Sequence, residues 1–172
     1  FPYTTLFRSI NKILVSACLT GLKVRYDGSE KAQMSDQLQR WQKEGRLVIF
    51  CPELAAGLSV PRPPAEIISA EIKDTLLAQV RIIEINGQDV TEQYQLAARL
   101  ALRTAQESDC TAALLTDDSP TCGSQFIYDG SFSGQRKSGM GVAASLLSKH
   151  GIAVVSEKRL ADLIAWIDEK EK

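Results

Sequence analysis

Four short apolar runs, separated by stretches with helical spacing, constrain this chain more than any other feature. They are residues 12–18 (KILVSAC), 47–51 (LVIFC), 111–115 (TAALL) and 152–155 (IAVV). Each is too short for a buried helix and lacks polar alternation, which reads as a strand covered on both faces. Between them, Met34, Leu38 and Trp41 form one helical stripe in residues 29–44. Val90, Tyr94, Ala97, Ala98, Ala101 and Ala105 form another in residues 90–106. Gly45 is placed to end the first and Asp89 to cap the second. Residues 139–149 and 159–167 read as two further helices. Strands alternating with helices predict an α/β fold, a mostly parallel open sheet flanked by helices and Rossmann-like. Residues 80–85 and the Asn86-Gly87 turn predict a small hairpin excursion. The Gly/Ser-rich residues 116–138 read as a loop long enough to be functional.

Length and charge narrow the function. The chain has 172 residues, 44% of them apolar, which suits one domain with a proper core. A net charge of −1 with no cluster of Lys and Arg gives no footprint for duplex nucleic acid or anionic lipid. No apolar run approaches the roughly 20 residues of a membrane span. The opening FPYTTLFRS lacks the apolar core of a secretory signal. Residues 1–9 are expected to be an extraneous tail, and residues 10–172 a single domain of a cytoplasmic protein.

The cysteines then gain meaning from the strands. In parallel sheets ligands bind beyond the carboxyl ends of the strands. Cys18 ends the first run, Cys51 ends the second, and Cys122 lies in the loop after the third. All three are therefore expected on one edge of the sheet. Cys110 precedes the third strand and belongs to the opposite edge, as a small buried hydrophobe. Reduced thiols gathered in space suit zinc, copper(I) or an iron–sulfur cluster, although unrelated buried cysteines would give the same spacing. Structural zinc favours paired CxxC motifs, and here the intervals are 33 and 71 positions with no CxxC. Three ligands leave one coordination position open to a substrate atom. His150, at a helix end, reads as a surface residue.

Polar residues flank these cysteines. Glu53 follows Cys51 behind Pro52, and Ser119 precedes Cys122 before Pro120; each proline stiffens its neighbour. Glu53 is a candidate general acid or base, and Ser119 a candidate donor to a developing anion. Their alternatives are a surface Glu and a turn-forming Ser. Arg25, Tyr26 and Asp27 are placed to bind a planar polar ring and an anion, or to form a solvated turn. Arg62 and Glu66 are expected to pair with each other. Gly139 and Gly141 open a helix and offer a cradle for phosphate.

The segments VSACLTGLKVRYDG, CPELAAGLSVPRPPAE, NGQDVT, SPTCGSQFIYDGSFSG and GMGVAASLL, in this order, resemble the TudS-like thiouracil desulfidase family over residues 12–157. The resemblance implies a 4Fe-4S cluster held by Cys18, Cys51 and Cys122. It implies an open fourth iron that takes the sulfur of a thiolated uracil base or nucleotide, with water supplying oxygen and no net redox change. It assigns the catalytic Glu and Ser to Glu53 and Ser119, and gives Cys110 no ligand role. Ser16, Gly123 and Ser124, within the same motifs, join Arg25, Tyr26 and Asp27 as expected substrate contacts. Thr116-Asp117-Asp118 stands where some relatives are expected to carry Lys, a departure expected to bear on substrate preference. A sulfur carrier or metal-binding module without catalysis is the alternative.

Overall fold

The computed structural model describes residues 11–29, 36–69 and 80–171; the expected tail at 1–9 and Met34 lie outside them. The four apolar runs become β1 (Lys12–Ser16), β2 (Leu47–Phe50), β5 (Cys110–Leu115) and β8 (Ala153–Ser156). They form one parallel sheet in the order β2-β1-β5-β8. Successive side chains on a strand point to opposite faces, and the two cores divide on that rule. Leu14, Ala113 and Leu115 face α3 (Thr91–Glu107) and α4 (Val142–Lys149). Ile13, Val15, Ala112 and Leu114 face α1 (Asp36–Lys43) and α5 (Leu160–Lys170) through Leu38, Trp41, Leu163 and Ile167. Leu14, Leu114, Leu115, Leu147 and Leu163 are completely buried, each contributing about 1.5–3 kcal/mol. Alanines 98, 101, 105, 143 and 144 lie together in the first core, where small side chains let α3 and α4 sit close to each other.

The predicted α/β sheet flanked by helices is thus the observed architecture. The excursion differs in detail. β4 (Val80–Glu84) pairs antiparallel with β3 (Ala65–Ser69), in register from Ala65 opposite Glu84 to Ser69 opposite Val80. The Asn86-Gly87 turn instead leads from β4 toward α3, with Gly87 at φ 88° and an isolated bridge between Ile83 and Asp89. The N-cap of α3 is Val90, with no side-chain cap, rather than the expected Asp89; Asp89 stands one residue earlier, and its carboxylate accepts from the Thr91 amide at 2.9 Å. The long loop at 116–138 contains a second small hairpin, β6 (Phe126–Tyr128) with β7 (Arg136–Ser138).

β1 connects through α1 on one face, and β5 connects through α4 on the other. The carboxyl ends of these two central strands are therefore a topological switch point, where an open α/β sheet leaves a crevice. Among the described residues no helix is long and apolar enough to cross a membrane.

Candidate functional site

A cleft of about 320 Å³ opens at that switch point, and Cys18, Cys51, Cys122, Glu53 and Ser119 all line it. Cys18 stands in a 3-10 turn (Ala17–Thr20) directly after β1, ended by Gly21 at φ 96°. Its thiol contacts the Thr116 hydroxyl at 2.9 Å. Cys51 is the N-cap of α2 (Pro52–Ala55), with Pro52 in the first helical position where its missing N–H costs nothing. Burial pushes the Cys51 thiol up. Cys122 is buried, and burial followed by the nearby Glu53 carboxylate raises its thiol far above the ordinary value. A thiol held protonated in this way must give up its proton before it can bind a metal.

The loop carrying Cys122 is built around one carboxylate. Asp117 Oδ1 accepts from the amides of Asp118, Ser124, Gln125 and Phe126 at 3.0–3.2 Å, and Oδ2 accepts from the Ser156 hydroxyl at 3.1 Å. Burial works to raise its pKa, but these donors hold it below the ordinary value. Asp118 pairs with Arg136 and Lys158. The two acids that depart from the expected pattern therefore organise the loop and its rim. Ser119 Oγ accepts from the amides of Thr121 and Cys122, both at 3.1 Å. The first turn of α4 closes over this loop: Gly141, Val142 and Ala143 donate to the carbonyls of Gly123, Pro120 and Thr121 at 2.7–2.9 Å, and Ala144 donates to Thr121 at 3.2 Å.

That closure corrects the phosphate cradle. The amides that Gly139 and Gly141 were expected to offer an anion are used by the backbone: Gly139 donates to Gln125 and the α4 amides to the Cys122 loop. Gly141 is required because a Cβ there would stand 2.5 Å from Thr121 backbone atoms. Gly123 is required for a similar reason, with backbone oxygens at 2.6 and 2.8 Å.

Glu53 is held at both oxygens. Oε1 accepts from the Thr121 hydroxyl at 2.7 Å, and Oε2 forms an ion pair with Arg62. Arg62 therefore does not pair with Glu66, which instead accepts from the amides of Gly130 and Phe132. Arg62 also donates to the carbonyls of Ser59 and Val24, and its Nε lacks a partner among the described residues. Buried Tyr94 completes this wall, its phenol pushed up by burial.

The expected substrate contacts divide. Arg25, Tyr26 and Ser16 line the cleft, with Ser16 engaged by the Thr116 amide at 3.1 Å. Asp27, Gly123 and Ser124 do not line it. Asp27 is exposed and caps its own turn through the Ser29 amide and hydroxyl; the Ser124 amide donates to Asp117. Cys110 lies at the amino end of β5, away from the cleft, its thiol raised to about 11 by burial. His150 is an exposed residue whose ring meets the Leu146 carbonyl. Arg62, Thr116, Thr121 and Tyr94 were not singled out for this cleft from the sequence. The signal for Thr116 and Thr121 was their position within two residues of a strand end or a cysteine.

Among the described residues no three His, Cys, Asp or Glu side chains stand close enough to hold a single metal ion. The three thiols share one cleft with no histidine in its lining. Three sulfur donors without histidine suit a multi-iron cluster better than a lone zinc.

A family model described as 2-thiouracil desulfurase matches residues 13–159. The chain is 44% identical over 152 residues to the uncharacterized protein YbbK of Bacillus subtilis (strain 168), covering 88% of this chain and 99% of that one. A solved structure described as the 4Fe-4S-dependent thiouracil desulfidase TudS shares the fold with a TM-score of 0.83 and 42% identity, covering 92% of this chain and 98% of the other.

Proposed function

The chain belongs to the 2-thiouracil desulfurase family, and on that premise we propose that it converts the C=S group of a small thiolated pyrimidine to C=O in the cleft of Cys18, Cys51 and Cys122. The reaction balances with water: the carbon gains oxygen, and sulfur leaves as sulfide without net electron transfer. The observation that carries the proposal is the convergence of three thiols from three separate loops on one cleft, beside Glu53 and Ser119.

Cys18, Cys51 and Cys122 would hold a 4Fe-4S cluster, the cofactor named for the similar solved structure, with one iron left open. When bound, the cluster supplies a soft Lewis acid for the thiocarbonyl sulfur. The protein's own groups do the rest. Glu53, fixed by Arg62 and Thr121, keeps lone pairs for the proton of the attacking water. Ser119 already accepts two amides, so its hydroxyl proton is directed to charge building on the pyrimidine. Arg25 and Tyr26 bind the polar edge of the ring at the mouth, where the planar guanidinium matches a planar ligand.

Anaerobic reconstitution tests this reading. The loaded protein should release sulfide from 2- or 4-thiouracil or their nucleotides. Glu53→Gln should keep its iron and lose about 10²–10⁴-fold in turnover. Iron-loaded Glu53→Gln protein with undiminished turnover would favour a sulfur carrier and sink the catalytic assignment.

A further inference from the structure

We propose that the hydroxyl of Thr116 donates a hydrogen bond to the sulfur of Cys18, and so sets how strongly that thiolate donates to the group it holds. The inference rests on the ligand assignment proposed above. It starts from the two central strands. Ser16 is the last residue of β1 and Thr116 is the first after β5. The Thr116 amide does not continue the backbone ladder; it donates to Ser16 Oγ at 3.1 Å. That bond ties Thr116 to the end of β1, directly before the turn that carries Cys18.

The Thr116 hydroxyl oxygen lies 2.9 Å from Cys18 Sγ, and among the described residues it has no other partner. Thr116 is buried, at 6% exposure. A buried hydroxyl without a partner costs free energy, so the sulfur answers a need of the fold as well as of the site. A free thiol leaves the direction of the Thr116 bond open. A metal-bound thiolate does not, because it has no proton to give; the hydroxyl must then be the donor.

The chemical consequence follows from charge. A donor hydrogen bond draws electron density from a thiolate and stabilises the more reduced form of an iron–sulfur group. Weaker thiolate donation also leaves the open iron a stronger acid toward soft sulfur. Thr116 thus acts as a positioning residue on the Cys18 ligand.

The test uses anaerobically reconstituted protein, with iron per chain and the reduction midpoint by spectroelectrochemistry as readouts. Thr116→Val removes only the hydroxyl and keeps a β-branched shape. It should retain wild-type iron and shift the midpoint to more negative potential; Thr116→Ser should restore it. Thr116→Ala is the second probe and should shift the midpoint in the same direction, whether or not Thr116→Val folds. Iron-loaded Thr116→Val and Thr116→Ala proteins with the wild-type midpoint would overturn the inference while leaving the ligand assignment intact. A wild-type protein that takes up no iron would overturn both.

Discussion

Replacing Gly141 by Ala tests the contact that shapes the Cys122 loop. Gly141 has φ −66° and ψ 164°, a conformation open to any residue, so backbone strain is not at issue. In the unfolded chain the added methyl reduces conformational freedom, which alone would stabilise by about 0.4–1 kcal/mol. In the folded chain its Cβ would stand 2.5 Å from the Thr121 carbonyl carbon and oxygen and 2.8 Å from the Pro120 oxygen. These are backbone atoms, and reaching ordinary contact means moving them by roughly 1 Å. Two hydrogen bonds at 2.9 Å run to the same oxygens, from Val142 and Ala143. Overpacking of this kind costs about 1–3 kcal/mol, and each of the two weakened hydrogen bonds about 1 kcal/mol. After the unfolded-state gain, the net loss is about 2–4 kcal/mol, a fall in Tm of roughly 5–15 °C for a chain this size. Thermal denaturation of the metal-free protein by circular dichroism reads that fall directly. Iron per chain after reconstitution should drop as well, because Cys122 adjoins the displaced Thr121. A Tm equal to or above the wild-type value would refute the packing argument, since only the entropic term would then be acting.

Arg62→Met should be among the more costly single changes at the cleft. It strands Glu53 without its buried partner, whose side chain is 3% exposed against 13% for Glu53, a loss of about 3–5 kcal/mol measurable by urea denaturation. The double change with Glu53→Gln should cost less than Arg62→Met alone; a larger cost would contradict the uncompensated-charge account. Glu171 ties the C-terminal helix to the sheet through Arg46 and Asn11, and Arg46 depresses its carboxyl from 4.5 to about 2. The stabilisation from this clamp is complete above pH 4.5 and is lost as pH falls toward 2. Glu171→Gln should flatten the pH dependence of Tm in that window, and an unchanged slope would show that other carboxylates control it. Cys110→Ser should retain iron, whereas Ser at 18, 51 or 122 should lose it; loss of iron at 110 would overturn the three-ligand set.

The sheet was legible because its strands read as unbroken apolar runs, although only the central β1 and β5 are largely buried and the edge strands β2 and β8 are partly covered. From strand ends alone, Cys18, Cys51 and Cys122 fall at one edge and Cys110 at the other, and the cleft lining agrees. Strands with weaker patterning were not legible. β3 continues from a proline-rich segment, and β6 and β7 are three residues each within a polar stretch. The partner of Arg62 was misread because charges four apart in sequence look paired, whereas folding brings Glu53 from nine positions away. Gly139 and Gly141 show a different limit. A missing side chain serves an anion site or a close backbone approach equally well, and only the carbonyls facing the helix decide between them.

The spacing of the three thiols has a consequence for the order of assembly. Each follows a different strand, separated by 33 and 71 positions, and no two share a local motif. The chain emerging from synthesis holds no nucleus on which iron and sulfide can gather. Cys122 lies beyond β5, which pairs with β1, in a loop bonded by the first amides of α4. On the ligand set proposed above, folding has to bring the three thiols to one cleft before they can act together on one cofactor. A partly folded chain, by the same logic, is spared from trapping iron in the wrong place.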